Sequence, residues 1–281
     1  MKHISIYILL LIPFLLTSCG AYPDAETEPG VIPTENVSAV IKNELRLDQD
    51  GTGIYGNLYC PADWDETKAY PLIILSHSAN VNSDTLHTYA ERSAALGYLA
   101  YTFDFPGGSR SSRSDSVDSC TIFTEMETLR FIIDYFDGQT YTESIYLFGT
   151  SQGGLVSSVV ADEKEDQLSG LILFYPAYNI PELMAKYAIG VDAEYKKQLK
   201  EYDVYDHIGN FSKDVLIVHG TGDIIVPCSY SEKAGELYDS CELKLVEGAN
   251  HGFNRENYAV NNNYDEVTWG YVESYLNDHM N

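Results

Sequence analysis

The sequence is poor in basic residues: 17 Lys and Arg stand against 42 Asp and Glu, giving a formal net charge of −25. It contains no basic cluster that could neutralise phosphates, and this argues against a nucleic-acid-binding protein. An anionic membrane surface would repel so acidic a chain, so any attachment to a membrane must be covalent or hydrophobic.

Long hydrophobic runs are also missing. The main one, residues 4–16, follows Met1-Lys2-His3 and is shorter than the roughly 20 residues that a membrane-spanning helix needs. This pattern predicts a cleaved signal peptide over residues 1–18. The stretch Leu16-Thr17-Ser18-Cys19-Gly20 resembles the lipobox of bacterial lipoproteins, which implies export, lipidation of Cys19 and anchoring to a bacterial membrane. The alternative is an ordinary secretory signal.

The segment that follows the signal lacks any apolar periodicity. Residues 19–36 carry three prolines among acidic residues, so we predict an extended, solvated tether. Neither a repeat nor a linker divides residues 37–281, and we predict a single domain there.

Cysteine is scarce, with five residues in the whole chain. Cys228 and Cys241 flank opposite ends of a predicted helix, about 15 Å or more apart, so we expect no disulfide between them. Whether Cys60 pairs with Cys120 is left open.

The body of the chain alternates short apolar runs with helical patterns after an antiparallel start. Asp50-Gly51 between two alternating runs predicts a hairpin. The alternation predicts an α/β fold, with a mostly parallel sheet covered by helices on both faces. Predicted strands cover residues 71–76, 98–105, 145–148, 170–175, 215–219 and 242–246, and predicted helices cover 84–96, 121–136, 155–162, 231–238 and 266–279.

The stretch Gly149-Thr150-Ser151-Gln152-Gly153 lies between an apolar run and a helical pattern. Strand, G-x-S-x-G and helix form the context of a nucleophile elbow, a strained turn that exposes the serine hydroxyl. A side chain at either outer glycine would crowd the neighbouring backbone. We therefore predict Ser151 as a nucleophile, with the Gln152 N–H aimed at a developing negative charge.

A serine nucleophile needs a histidine base, and that histidine needs a carboxylate to orient it. His251 follows the last predicted strand and Asp223 follows the strand before it, so both fall at the carboxyl edge of the sheet with Ser151. The order Ser151, Asp223, His251 is that of α/β-hydrolases. His77 and His219 also follow strands, and we interpret them as shaping their loops.

From about residue 37 onward the chain is similar to the α/β-hydrolase superfamily, and within it to bacterial serine esterases of the feruloyl/cinnamoyl-esterase type. The stretches that carry this resemblance are HSAN from His77, DFPGGS from Asp104, GTSQGG from Gly149, VLIVHGTGDIIVP from Val215 and EGANHGF from Glu247. In such esterases the third residue of the His-Gly-x loop completes the oxyanion hole, which implies the N–H groups of Ala79 and Gln152. Ser78 replaces the usual glycine, and strain is expected if that position requires a positive φ.

The resemblance implies hydrolysis of carboxylic esters through an acyl-enzyme at Ser151, with a small-molecule ester as the partner and neither a metal nor an organic cofactor. Residues 176–213 interrupt the alternation where α/β-hydrolases insert a cap, and two short helices are predicted within them. They could form a lid over an acyl pocket or merely cover the edge of the sheet. Because the insert is short, we expect small-to-medium or aromatic acyl groups. The alternatives are a serine peptidase of the same fold and a surface-anchored binding protein with an inactive site.

Overall fold

A computed structural model describes residues 40–106, 121–187, 192–253 and 264–280, without side-chain detail for 184–187. The predicted signal peptide, Cys19, the tether, Cys120 and the glycines of the DFPGGS stretch lie outside the described residues. In the described part of the chain, no helix has the length and apolar character needed to cross a membrane.

An eight-stranded sheet forms the centre of the protein, in the order β1-β4-β6-β5-β7-β8-β9-β10. The β1–β4 and β4–β6 pairs are antiparallel, and every other neighbouring pair is parallel. The strands are β1 (Ile41–Glu44), β2 (Leu47–Gln49), β3 (Thr52–Ile54), β4 (Gly56–Cys60), β5 (Tyr70–Ser76), β6 (Leu99–Phe103), β7 (Thr142–Thr150), β8 (Gly170–Phe174), β9 (Val215–Gly220) and β10 (Cys241–Val246).

Seven α-helices accompany the described strands, each close to its predicted position where a prediction was made. They are α1 (His87–Ala95), α2 (Ile122–Asp137), α3 (Gln152–Glu163), α4 (Ile180–Tyr187), α5 (Ala193–Glu201), α6 (Ser229–Gly235) and α7 (Asp265–Asp278). The helix expected over 84–96 begins instead as a 3-10 turn, Ser83–Leu86, whose first turn is capped by the Asn82 side chain.

The predicted hairpin is present, but it lies outside the main sheet. Strands β2 and β3 pair with each other, and Asp50 (φ 52°) and Gly51 (φ 87°) form the turn between them. Two successive positive φ values match the two-residue turns that suit the twist of a hairpin. The two long runs expected there are each divided, and their outer halves, β1 and β4, join the main sheet.

Both faces of the sheet are buried, as the continuous apolar strands predicted. Along β5, Leu72 and Ile74 belong to one hydrophobic cluster, whereas Ile73 and Leu75 belong to the other. Helices α2, α3 and α6 contribute to the first cluster, and α1 and α7 contribute to the second. This three-layer packing fixes the carboxyl ends of β5, β7, β9 and β10 along one edge, where the loops that follow them can meet.

Cys228 and Cys241 are free thiols, as the sequence predicted. The pairing of Cys60 with Cys120 stays untested, because Cys120 lies outside the described residues.

Candidate active site

The turn between β7 and α3 has the strained geometry expected of a nucleophile elbow. Ser151 has φ 51° and ψ −115°, which side chains rarely adopt. Hydrogen bonds hold it on both sides, since the Ser151 N–H donates to Phe174 O (2.9 Å) and its carbonyl accepts from Ala177 N–H (2.9 Å).

The two predicted glycines of the elbow leave no room for a side chain. A Cβ at Gly153 would lie 2.3 Å from the carbonyl oxygen of Ser76, and one at Gly149 would lie 2.4 Å from that of Gly153. Helix α3 can therefore pack closely against β5 and β7, and the sharp turn that precedes it places Ser151 at the edge of the sheet.

The structure brings the three predicted side chains together. Ser151 Oγ lies 2.9 Å from His251 Nε2, and His251 Nδ1 lies 2.6 Å from Asp223 Oδ2. A carboxylate at Nδ1 favours the Nδ1–H tautomer, which leaves Nε2 free to accept the Ser151 proton. The imidazole is 18% exposed, whereas the Asp223 side chain is fully buried.

The Asp223 carboxylate accepts four hydrogen bonds, two from backbone N–H groups and two from imidazole rings. Its Oδ1 accepts the N–H groups of Ile225 and Val226, both at 2.9 Å, while its Oδ2 accepts from His251 and from His219 Nε2 at 3.2 Å. Burial raises the pKa of Asp223, but these hydrogen bonds outweigh it and hold the pKa below its ordinary value. The carboxylate therefore stays ionised beside the imidazole.

His219 shapes its loop as predicted, and it also touches the site. It is fully buried, its Nε2 lies 2.8 Å from Val226 O, and its Nδ1 lies 2.7 Å from Ser231 Oγ. The carbonyl can only accept, so Nε2 carries the proton and Nδ1 accepts from Ser231. No sequence pattern indicated this second donor to Asp223.

His77 also shapes its loop as predicted. Its Nε2 accepts the N–H of Phe105 (3.2 Å), and its Nδ1 lies 2.8 Å from Ser78 O. These bonds tie the loop after β5 to the loop after β6.

The strain expected at Ser78 is not present. Ser78 does not have a positive φ; Asn80, two residues later, takes that conformation with φ 60°. Instead, Ser78 Oγ lies 3.0 Å from Thr150 Oγ1 and 3.3 Å from Thr150 O. The serine thus joins the loop that carries Ala79, an exposed residue, to the strand that carries the elbow.

Two further residues at the site were missed by the sequence reasoning. The ring of Tyr175 lies 4.7 Å from that of His251, with its backbone at φ 38°. The Glu125 carboxylate, in the first turn of α2, accepts from Gln152 Nε2 at 2.8 and 2.7 Å. Burial raises the pKa of Glu125 to about 7, although the bond from Gln152 lowers it. Neither residue stands near the elbow in the sequence, so spacing could not have identified them.

The segment 176–213, expected to be a cap, contains α4 and α5, close to the two short helices predicted there. Tyr195 lies in α5 and Tyr202 directly follows it, and both rings pack against Phe123 of α2, with centroids 5.9 and 5.2 Å away. Tyr195 Oη also accepts the N–H of Ile122, so α5 is attached to the first turn of α2. Whether the cap moves as a lid stays a prediction.

Comparison with solved structures identifies the architecture. The structure of Est1E from Butyrivibrio proteoclasticus with ferulic acid bound superposes on this chain with a TM-score of 0.72 at 25% identity, over 83% of this chain and 98% of that one. This chain has the α/β-hydrolase fold. The expected fold class is therefore confirmed, with its mostly parallel sheet and helices on both faces.

More distant structures share the α/β-hydrolase fold alone. GrgF from Penicillium sp. sh18 has a TM-score of 0.67 at 15% identity over 85% of this chain and 99% of its own. Thermogutta terrifontis esterase 2 phosphorylated by paraoxon has a TM-score of 0.62 at 19% identity, covering 84% and 93%.

Sequence comparison points to hydrolases as well. The family described as serine aminopeptidase, S33, matches residues 67–204, slightly less than half of the chain. That range contains Ser151 but ends before Asp223 and His251. None of the curated proteins compared matches this sequence. The family match and the likeness to Est1E support a hydrolase.

Proposed function

We propose that the protein is a serine esterase that cleaves carboxylic esters through an acyl-enzyme at Ser151. The observation that carries the proposal is the continuous hydrogen-bonded series from Ser151 Oγ to His251 and on to the buried Asp223, at 2.9 and 2.6 Å. A hydroxyl on a strained turn, a base within reach and an ionised orienter are the parts that acyl transfer needs.

In the first half-reaction, Ser151 Oγ attacks the ester carbonyl carbon as His251 Nε2 takes the hydroxyl proton. The tetrahedral intermediate then collapses, the C–O bond to the alcohol breaks, and the alcohol leaves with the proton from His251. In the second half-reaction, His251 takes a proton from water, the hydroxide attacks the acyl carbon, and the acid leaves as Ser151 regains its proton. Asp223 holds the imidazole tautomer and stabilises the imidazolium in both.

The negative charge on the carbonyl oxygen would be stabilised by the N–H groups of Gln152 and Ala79. Gln152 is the first residue of α3, so its N–H has no partner within the helix. Ala79 lies in the loop that Ser78 ties to the elbow strand. Removing one oxyanion donor typically lowers kcat about 10²–10³-fold.

The expected acyl groups are small to medium in length, or aromatic. The support is the short cap and the likeness to Est1E, a protein whose structure contains ferulic acid. The sequence identity of 25% leaves the acyl and alcohol groups of this chain as part of the proposal.

A serine peptidase is the second candidate, because the matching family model is described as a serine aminopeptidase. The full chain and its Ser151→Ala variant should be compared on 4-nitrophenyl acetate, butyrate and octanoate, on methyl ferulate and on an aminoacyl 4-nitroanilide. We expect Ser151-dependent turnover of esters and none of the anilide. Ser151-dependent anilide turnover would favour the peptidase instead, and equal rates in both proteins would favour a binding protein with an inactive site.

We also propose that the protein is exported and anchored through a lipid on Cys19, on the basis of the lipobox-like stretch alone. When cells that express and export the protein are grown with radiolabelled palmitate, the wild-type protein should become labelled and a Cys19→Ala variant should not. Release of unlabelled wild-type protein into the medium would support the ordinary secretory signal.

A further inference from the structure

Glu125 lies next to the proposed oxyanion hole without a role in the mechanism above. It is a partly buried carboxylate in the first turn of α2, and both of its oxygens accept from the single Nε2 of Gln152, at 2.8 and 2.7 Å. Above its pKa of about 7 the Glu125 carboxyl is charged, and hydrogen bonds to a charged acceptor are roughly twice as strong as neutral ones. Gln152 directly follows the proposed nucleophile, so this contact acts on the elbow itself.

Several contacts at the start of α2 hold Glu125 in place. Its N–H donates to the carbonyl of Thr121, and the Thr121 and Thr124 side chains complete a capping box around the start of α2. The positive end of the helix dipole favours a carboxylate in this turn. Tyr195 of the cap accepts the neighbouring Ile122 N–H, so the cap is attached to the same turn of α2. The anchor for the Gln152 side chain is therefore rigid.

The backbone at Gln152 is the part of the elbow that most needs such an anchor. Its peptide plane depends on the ψ of Ser151, which is strained, and on its own φ at the first position of α3. A first-turn N–H has no carbonyl partner within its helix to fix its direction. A side chain fixed to α2 restrains that residue from the opposite side.

We propose that Glu125 is a positioning residue: by holding the Gln152 side chain, it fixes the direction in which the Gln152 N–H donates to the oxyanion. This inference rests on the proposed esterase function. It predicts that the contribution of Glu125 appears in transition-state stabilisation and depends entirely on the Gln152 side chain. The Gln152→Ala variant retains the N–H donor but loses the anchor.

The test uses the full chain with a short 4-nitrophenyl ester. We expect Glu125→Ala and Gln152→Ala each to lower kcat about tenfold, part of the loss typical for removing a donor, with KM within twofold. The double variant should lose no more than either single variant, because both remove the same contact. Glu125→Gln should stay within threefold of the wild type, since its amide oxygen still accepts one bond. Glu127→Ala, at an exposed position on the same helix, is the matched control.

A second readout separates positioning from a general loss of structure. A trifluoromethyl ketone adds to the serine as a charged hemiketal that occupies the oxyanion hole, so its affinity should fall by about the same factor as kcat. Additive losses in the double variant, an unchanged kcat in Glu125→Ala, or unchanged ketone affinity would overturn the inference. If Glu125→Ala fails to fold, Gln152→Ala still tests the inference, because a kcat and a ketone affinity within twofold of the wild type would overturn it.

The Ser151→Ala variant in the same assay keeps the two proposals apart. Ester turnover that does not require Ser151 would overturn the esterase proposal and this inference with it. Ser151-dependent turnover that is indifferent to Glu125 and to the Gln152 side chain would overturn this inference alone.

Discussion

The most informative single substitution is Asp223→Asn, because the structure dictates how the new amide must sit. Oδ1 accepts two backbone N–H groups, from Ile225 and Val226, and an NH₂ group there would face both donors. The amide oxygen must therefore take the Oδ1 position, and the NH₂ group must take the Oδ2 position, 2.6 Å from His251 Nδ1.

An NH₂ group at that position can only donate, so His251 Nδ1 must become an acceptor and the proton moves to Nε2. A protonated Nε2 cannot take the proton of Ser151, which lies 2.9 Å away. We expect kcat to fall about 10⁴-fold, the size of the loss known for this change in a serine protease with the same triad. His219 also loses its acceptor at Oδ2 and keeps only Val226 O, so stability should fall by about 1–3 kcal/mol.

The assay is steady-state hydrolysis of 4-nitrophenyl butyrate, together with thermal unfolding to show that the variant is folded. Asp206→Asn serves as the control, because Asp206 is exposed in the 3-10 helix Val204–His207, outside the loops that carry Asp223 and His251. A folded Asp223→Asn protein with a kcat within tenfold of the wild type would refute the reasoning about the tautomer.

Three further predictions follow from the packing and the charges. Gly153→Ala should unfold or inactivate the protein, because the added Cβ would lie 2.3 Å from a backbone oxygen. Gly270→Ala in α7 should instead stabilise the protein by about 0.5–1 kcal/mol, because its Cβ would meet no neighbouring atom within 4 Å. Thermal unfolding of both variants tests this contrast. Because the pKa of Glu125 is raised in the folded state, its stabilising contribution is complete below the ordinary carboxyl pKa and is lost as pH rises through about 7. The Tm of the wild type minus that of Glu125→Gln should therefore decrease as the pH rises from 5 to 8. A Tm difference that stays constant over this range would contradict the raised pKa of Glu125. For the acyl group, kcat/KM should not rise steeply from acetyl to dodecanoyl esters, and such a rise would contradict the small pocket expected from the short cap.

Much of this site could be predicted because local sequence patterns indicate its reactive residues. Ser151 stands between glycines whose absence of a Cβ the turn requires, and Asp223 and His251 follow strands that end on the same edge of one sheet. Alternation of apolar strands and helices then determines the layers. Each of these features depends on neighbours within a few residues or on the general rules of parallel sheets.

The missed features depend instead on contacts between distant segments. Glu125 meets Gln152 only because α2 packs beside α3, and Tyr175 meets His251 because the β8 and β10 loops converge. The condition for strain at Ser78 also depends on the path of the loop, and it is not met: the positive φ falls on Asn80, and a bond to Thr150 accommodates the serine. Single-sequence patterns carry no record of such pairings.

The central claim is that Ser151 becomes acylated. The most direct test is to incubate the purified chain with a serine-directed fluorophosphonate and to locate the modification by peptide mass spectrometry. We expect one equivalent of label on the peptide that contains Ser151, no label in Ser151→Ala, and much slower labelling in Asp223→Asn. Labelling at another residue, or none in the folded wild-type protein, would contradict the account.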